Sequence, residues 1–322
     1  MENNYMLSVK NLKKYFNTPT GVLHAVDDVS FDIPEGTTLG VVGESGCGKS
    51  TLGRTVLHLH KKTSGQIFFN GKDISEINKH EFHELRKEMQ IIFQDPFSSI
   101  DPRMSVRQLI AEPLKIFKLC KSKEEIEKKV KETMDTVGLA SRLADSYAHE
   151  LDGGRRQRIG IGRAIILDPK FIVCDEPVSA LDVSIQAQIL NLMQDLQAER
   201  NLTYIFITHN LSVVKHISND IMVMYLGCAV EKASSTELFK HQYHPYTKAL
   251  ISAIPRVNLD DKSVRIPIKG ELVSPIDPKD QCRFAPRCEY ACDKCFASAP
   301  TLEEVEPGHF VACHRVRELN NL

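Results

Sequence analysis

GESGCGKST, residues 43–51, decides the fold. It fits G-x-x-x-x-G-K-[ST], and its flanks matter as much as its letters. TTLGVVG before it reads as an apolar strand, and KSTLGRTVLHL after it has helical spacing. A strand that enters a glycine-rich loop and then a helix leaves main-chain N–H groups unpaired at the helix start, where they wrap phosphate oxygens. Gly43, Gly46 and Gly48 let that loop close without Cβ clashes, and Glu44, Ser45 and Cys47 complete it. Lys49 would reach the β- and γ-phosphates, Ser50 would ligate Mg²⁺, and Thr51 would help hold the α-phosphate. Cys47 reads first as a small filler facing the nucleotide. Its place at a helix start, which lowers thiol pKa, makes a reactive thiol the alternative.

Outward from the loop, an α/β pattern extends along most of the chain. LSVKNL, VLHAVDDVSFDI and TTLGVVG alternate as strands, and GQIFFN is a short strand with Asn70-Gly71 as a hairpin turn. Residues from about 75 to 150 read as helix-rich and charged, with KEEIEKKVKETMDTVGL an exposed amphipathic helix. FIVCDEP is a buried strand that ends in two carboxylates. Asp175 and Glu176 therefore fall at a strand's C-terminal edge, where ligands bind in open α/β sheets. Asp175 would act on Mg²⁺ through its water shell, and Glu176 would polarise an attacking water. VSIQAQILNLMQDLQAER follows as a helix, LTYIFITH as a strand, LSVVKHI as a helix and IMVMYLGCAVEKA as a hairpin.

Composition removes several classes. The chain of 322 residues is 42% apolar and 26% charged, which is ordinary for a soluble globular protein. A formal net charge of −1 provides no global basic field for nucleic acid. No window approaches the ~18 uninterrupted apolar residues of a membrane span, and MENNYMLSVK lacks the features of a secretory signal. Five of the nine cysteines crowd into the C-terminal segment with spacing C-x5-C-x3-C-x2-C-x17-C. In a reducing compartment such a group reads as a metal site rather than a disulfide framework. Composition shifts near residue 255, where prolines multiply and periodicity fails, so a small irregular appendage is expected from there on.

Together and in this order, the motifs of residues 7–255 resemble the ATP-binding subunits of ABC transporters. The resemblance implies a P-loop ATPase with a RecA-like core, an antiparallel β subdomain and a helical subdomain at about 95–165. Residues 1–255 would form the nucleotide-binding domain and 256–322 a Cys-rich extension. Gln94 in IIFQDP would be the Q-loop glutamine that touches Mg²⁺. Ser179, Ala180, Leu181 and Asp182 would be the D-loop, and His209 in FITHN the switch histidine at the γ-phosphate. Phe16 stands where the family stacks an aromatic on adenine, with Tyr15 as the neighbouring alternative. LDGGRRQR resembles the family signature, usually written LSGGQ, so Asp152, Gly153, Gly154 and Arg155 would face ATP held by a partner subunit. Here the chain departs from the pattern: Asp152 replaces a serine and Arg155 a glutamine. An ionised carboxylate cannot donate to a phosphate oxygen, and two unit charges ~4 Å apart at an effective dielectric of ~20 repel by about 4 kcal/mol. Arg155 and Arg156 would offset part of this, and Asp152 also suits a helix cap.

HPYTKALISAIP, LVSPIDPKDQCRFAPRC and VEPGHFVACH resemble the C-terminal region of di- and oligopeptide importer ATPases. Nickel importers share much of this tail. The resemblance implies a second, non-identical ATPase subunit, two integral-membrane permeases, an extracytoplasmic peptide-binding protein, and a peripheral place on the cytoplasmic side of the bacterial membrane. Cys282, Cys288, Cys295 and Cys313 match the family's four-cysteine pattern, which implies a [4Fe–4S] cluster, with zinc the alternative and Cys292 a fifth, unmatched thiol. A soluble ABC ATPase acting on ribosomes or DNA, and a nearly inactive regulatory subunit, are the competing readings.

Overall fold

Mixed burial along the first two long segments, and unbroken burial along three of the shorter ones, separate the partly exposed strands from the central ones. The computed structural model describes residues 5–95, 100–254, 265–271 and 273–322. The expected boundary at 255/256 lies outside them. In chain order the strands are β1 (Tyr5–Thr18), β2 (Gly21–Pro34), β3 (Thr38–Val42), β4 (Ser64–Phe69), β5 (Lys72–Asp73), β6 (Met89–Ile92), β7 (Phe171–Asp175), β8 (Thr203–Ile207), β9 (Asp220–Tyr225), β10 (Cys228–Ser234), β11 (Glu303–Glu306) and β12 (His309–Val311). The chain divides into two compact units: Met1–Ile33 with Thr38–Ser75 and Phe206–Leu322, and Pro34–Thr37 with Glu76–Ile205.

In the first unit, β2-β1-β4-β5 form one sheet, with β1 antiparallel to β4 and β4 to β5. Asn70 and Gly71 both take positive φ, 48° and 75°, the backbone that the tight β4–β5 turn requires. A second set runs β11-β12-β10-β9-β3. β3 is buried at every residue and pairs in parallel with β9, Val42 opposite Val223. Burial on both faces is why TLGVV reads as an apolar run rather than an alternation. β9 then turns back antiparallel into β10.

The expected irregular appendage is corrected in part. β12 pairs antiparallel with β10, Glu231 opposite Val311, and β11 folds onto β12 as a hairpin. Pro307 and Gly308 (φ 75°) make its turn, so the proline that hid the strands from a periodicity reading marks their connection. Short helical turns at Ala285–Arg287, Asp293–Ala297 and Val316–Asn320 complete the tail. Fully buried Glu231 ties it down. Its carboxylate accepts from the Tyr243 and His244 backbone N–H groups (2.7 and 3.1 Å) and lies 2.8 Å from His309 Nε2. A buried charge kept by several donors persists where an unpaired one would not.

In the second unit, residues 203–205 of β8, then β7 and β6 are neighbours in that order, and β6 runs parallel to β7 with Ile92 opposite Cys174. Helices Val106–Ile116, Lys123–Thr136, Gly153–Ile165 and Val183–Arg200 supply the rest. Lys123–Thr136 buries only Val130, Thr133 and Met134, so its charge run is the solvated face expected of it. Among the described residues no helix is long and apolar enough to cross a membrane.

Burial also sets a pH limit on the first unit. His244 is 1% exposed and its Nδ1 accepts from the Tyr246 N–H at 3.1 Å. Burial pushes its pKa from 6.5 down to about 4, opposed by the Glu231 charge. The unfolded chain binds this proton first, so the stabilisation is complete above pH 6.5 and is lost as pH falls to about 4. His244→Gln is expected to flatten about 3 kcal/mol of acid destabilisation across that window, read from urea unfolding at stepped pH.

Candidate active site

The first unit supplies the phosphate loop. β3 ends at Val42, the loop spans 43–48, and helix Lys49–Val56 begins immediately after it. Gly48 caps that helix at φ 103°, and a Cβ there would lie 2.0 Å from the Ala25 carbonyl oxygen. Only glycine satisfies both demands. Lys49 is 4% exposed, and its Nζ donates to the carbonyl oxygens of Gly43 and Glu44 at 2.9 and 3.0 Å. The ammonium is thus held inside the loop at a helix N-terminus, an arrangement suited to anionic oxygens. Ser50 and Thr51 occupy the helix's first turn. Cys47 is 1% exposed with Sγ 3.8 Å from Lys49 Nζ, and burial pushes its thiol pKa up. That environment belongs to a packed filler rather than a nucleophile.

On β1, Tyr15 stacks on His24 at 3.8 Å and its hydroxyl donates to Asp27. Both its face and its hydroxyl are therefore committed. Phe16 instead presents its ring to Lys14 Nζ at 4.3 Å, with His60 edge-on at 5.5 Å. His209 is exposed just beyond β8.

The sequence reading missed what grips Glu44. Its N–H donates to Tyr246 Oη at 2.9 Å, and its carboxylate takes both Arg287 terminal nitrogens at 2.7 and 3.3 Å. HPYTKAL and FAPRC were legible as marks of a subfamily, but nothing in their spacing pointed them at residue 44.

The second unit supplies two carboxylates and two loops. Because β6 and β7 are parallel and in register, the residues that follow them emerge at one edge. Gln94 Nε2 donates to Glu176 Oε2 at 3.1 Å. Asp175 is 1% exposed at the end of β7, whereas Glu176 takes a left-handed backbone, φ 49°. Such strain in a non-glycine residue persists where surrounding contacts enforce it. Here the Ser179 N–H and hydroxyl both donate to the Glu176 carbonyl, at 3.3 and 3.1 Å. The segment Ser179–Asp182 thereby fixes the carboxylate's backbone. Asp182 stands at the start of helix Val183–Arg200 without a side-chain cap bond.

Asp152 caps helix Gly153–Ile165, its Oδ1 accepting from the Arg155 N–H at 2.8 Å. Arg155 Nε lies 3.4 Å from its Oδ2. Arg156 Nε donates to the Ala148 and Leu151 carbonyls at 3.0 and 2.9 Å. The glycines also serve packing: a Cβ on Gly154 would sit 2.7 Å from Ile185 Cγ2, and one on Gly153 would sit 3.1 Å from Leu181 Cδ2.

The cysteines correct an expectation. Among the described residues no group of three or more His, Cys, Asp or Glu is arranged to hold a metal ion, so the ligand set expected of Cys282, Cys288, Cys295 and Cys313 is not supported as placed. These four thiols do line one small cavity of about 10 Å³. Burial pushes the Cys282 thiol up to about 11 and raises Cys288 and Cys313 as well. Cys292 is not in that wall, and its Sγ lies 3.7 Å from Cys295 Sγ.

The family model "ABC transporter" matches residues 26–179, and "Oligopeptide/dipeptide transporter, C-terminal region" matches 230–295. The chain is 49% identical to the oligopeptide transport ATP-binding protein AppF of Bacillus subtilis, over 96% of this chain and 97% of that one. It is also 49% identical to OppF of the same organism, over 96% of each. Among solved structures, a dimeric post-hydrolysis state of the ATP-binding cassette MJ0796 bound to ADP and Pi superposes with TM-score 0.66 at 26% identity, covering 71% of this chain and 99% of that one. CbiO1 of Clostridium perfringens, part of the complex cbiONQ, gives TM-score 0.66 at 28% identity, covering 74% and 92%.

The thiol environments forecast a reactivity order. Backbone N–H donation from Cys295 lowers the Cys292 pKa, whereas burial raises that of Cys47. Brief alkylation of the folded chain at neutral pH is expected to label Cys292 well before Cys47, read by peptide mass spectrometry. Faster labelling of Cys47 would contradict the buried-filler assignment.

Proposed function

The chain belongs to the family of ABC transporter ATP-binding proteins, and from that membership we propose that it is the ATP-hydrolysing subunit of a bacterial importer of di- and oligopeptides. The observation that carries this reading is the joint match: a cassette over residues 26–179, followed in the same chain by the peptide-transporter C-terminal region over 230–295. Residues 1–255 act as the nucleotide-binding domain and 256–322 as its extension.

The roles follow from the chemistry of each group. The loop 43–48, through main-chain N–H groups not already donated within the chain, and Lys49 bind the phosphates, and Thr51 holds the α-phosphate. Phe16 stacks on the base; the commitment of Tyr15 to His24 and Asp27 supports that choice. Glu176 takes the proton of the attacking water, and the bond from Gln94 orients its carboxylate. His209 contacts the γ-phosphate. The resemblance assigns Mg²⁺ to Ser50, Gln94 and Asp175, and hydroxyl, amide and carboxylate oxygens are donor types that suit a hard cation. When bound there, Mg²⁺ would neutralise charge on the β- and γ-phosphate oxygens.

Catalysis is completed by a second, non-identical ATPase subunit. Asp152, Gly153, Gly154 and Arg155 face that subunit's ATP, and Ser179–Asp182 line the junction. Two permeases carry the assembly on the cytoplasmic side of the membrane, supplied by an extracytoplasmic peptide-binding protein. The two ATP sites are unequal. This chain's own cradle, completed by a regular signature, turns over, whereas the site that receives Asp152 is slow.

In the purified complex, Glu176→Gln is expected to remove most ATP turnover, and the equivalent change in the other ATPase subunit much less. Equal losses would sink the asymmetry. A complex built on two copies of this chain would sink the heterodimer. The spacing of Cys282, Cys288, Cys295 and Cys313 along the sequence, not their placement, is the ground for proposing a four-thiolate [4Fe–4S] or zinc site. Anaerobically purified protein should then carry iron with visible charge-transfer absorbance, or stoichiometric zinc without it. Neither metal would leave the tail a packed appendage.

A further inference from the structure

We propose that Arg287 and Tyr246, from the C-terminal part of the chain, are positioning residues that clamp Glu44 and so hold the phosphate loop ready for nucleotide. The proposal rests on reading residues 43–51 as a nucleotide cradle. It assigns to the tail a role in cis at that cradle.

Every polar group of Glu44 is taken. Its N–H donates to Tyr246 Oη at 2.9 Å, its carbonyl oxygen accepts from Lys49 Nζ at 3.0 Å, and its carboxylate is gripped by Arg287 at 2.7 and 3.3 Å. A two-pronged guanidinium–carboxylate contact fixes direction as well as charge. Both grips are themselves held. Arg287 has a side chain only 10% exposed. Its Nε donates to the Lys269 carbonyl at 3.1 Å, and its Nη1 lies 3.3 Å from Tyr225 Oη. Tyr246 is fully buried, and Tyr225, Tyr246 and Phe284 pack ring to ring at 4.8, 5.2 and 5.4 Å. Tyr225 ends β9, the strand parallel to β3, and Phe284 leads into the turn Ala285–Arg287. One aromatic cluster thus sets the distance between the strand beside the loop and the turn that carries the arginine.

Two effects follow at the cradle. The clamp fixes a loop whose N–H groups must converge on an anion, so less ordering remains to be done when nucleotide binds. It also neutralises an acid placed inside a polyanion site. An unpaired Glu44 carboxylate would repel phosphate, and Arg287 faces it with an opposite charge in a partly desolvated setting, where screening is weak. Tyr246 acts on the loop's geometry alone, whereas Arg287 acts on geometry and charge together.

The test measures ATP affinity of the full chain by calorimetry, and KM and kcat in the assembled complex. Arg287→Ala is expected to weaken ATP binding about tenfold, which is about 1.4 kcal/mol, and to raise KM with kcat little changed. Arg287→Lys should recover part of the loss, because it restores charge without the fork. Glu44→Gln should cost less than Arg287→Ala, and Arg287→Ala made on that background should cost less than it does alone. Glu304→Gln, on exposed β11 in the same tail, should leave affinity unchanged. Tyr246→Phe keeps the ring and removes only the acceptor, so it should weaken affinity with little change in melting temperature, and it carries the test where Arg287→Ala does not fold. Wild-type affinity in Arg287→Ala or in Tyr246→Phe, or strictly additive losses in the double variant, would overturn the clamp. Failure of the unaltered chain to bind ATP would instead overturn the nucleotide reading beneath it.

Discussion

A polyanion held by main-chain N–H groups requires a backbone that side chains cannot replace, and the first unit is organised around that requirement. The loop needs a rigid floor, a left-handed residue and a helix start in immediate succession. Fully buried β3 is the floor, Gly48 at φ 103° the left-handed residue, and Lys49–Val56 the helix. Parallel pairing with β9 fixes where β3 ends. From the β9–β10 turn, the Gly227 N–H donates to the Cys47 carbonyl at 2.8 Å. The loop is thus braced from its neighbours before any ligand arrives, and a preorganised donor array loses little to reorganisation on binding.

The second unit applies the same logic to a carboxylate. Parallel β6 and β7 deliver Gln94 and Glu176 to one edge, and their mutual hydrogen bond follows from register rather than chance. Glu176 takes a left-handed backbone, φ 49°. Its left-handed turn costs energy, and the two bonds from Ser179 help to offset it. The strand-end carboxylate and the segment 179–182, read separately in the sequence, are in this sense one device: Ser179 holds the backbone of Glu176. Gly153 and Gly154 extend it, since their missing side chains let helix Gly153–Ile165 approach Leu181 and Ile185.

Legibility in the sequence tracked how local the cause was. The phosphate loop, the buried run FIVCDEP and the Asn70-Gly71 hairpin each rest on neighbours in sequence, and their elements appear in the structure where the pattern put them. The tail hairpin was missed because its strands are only four and three residues long, too short to show a period, and Pro307 at its turn resembled a break. The grips on Glu44 were missed for another reason. Arg287 lies 243 residues away in sequence, and no periodicity links the two. The resemblance of the cysteine spacing implied a ligand set, yet spacing along the chain does not fix convergence in space, and among the described residues no such group is arranged to hold a metal ion.

Asp152 separates two jobs that a hydroxyl side chain could perform together. Capping needs only an acceptor, and the 2.8 Å bond from the Arg155 N–H supplies it as well as a hydroxyl would. Donation to a phosphate oxygen needs a proton that the ionised acid lacks. The helix start therefore keeps its stability and changes its electrostatics. Arg155, 3.4 Å from the carboxylate, turns a lone negative charge into a dipole, which repels an anion less and over a shorter range. Both side chains are well exposed, 60% and 47%, so the surface pair is worth little on its own. That weakness makes the Asp152–Arg155 pair easy to separate.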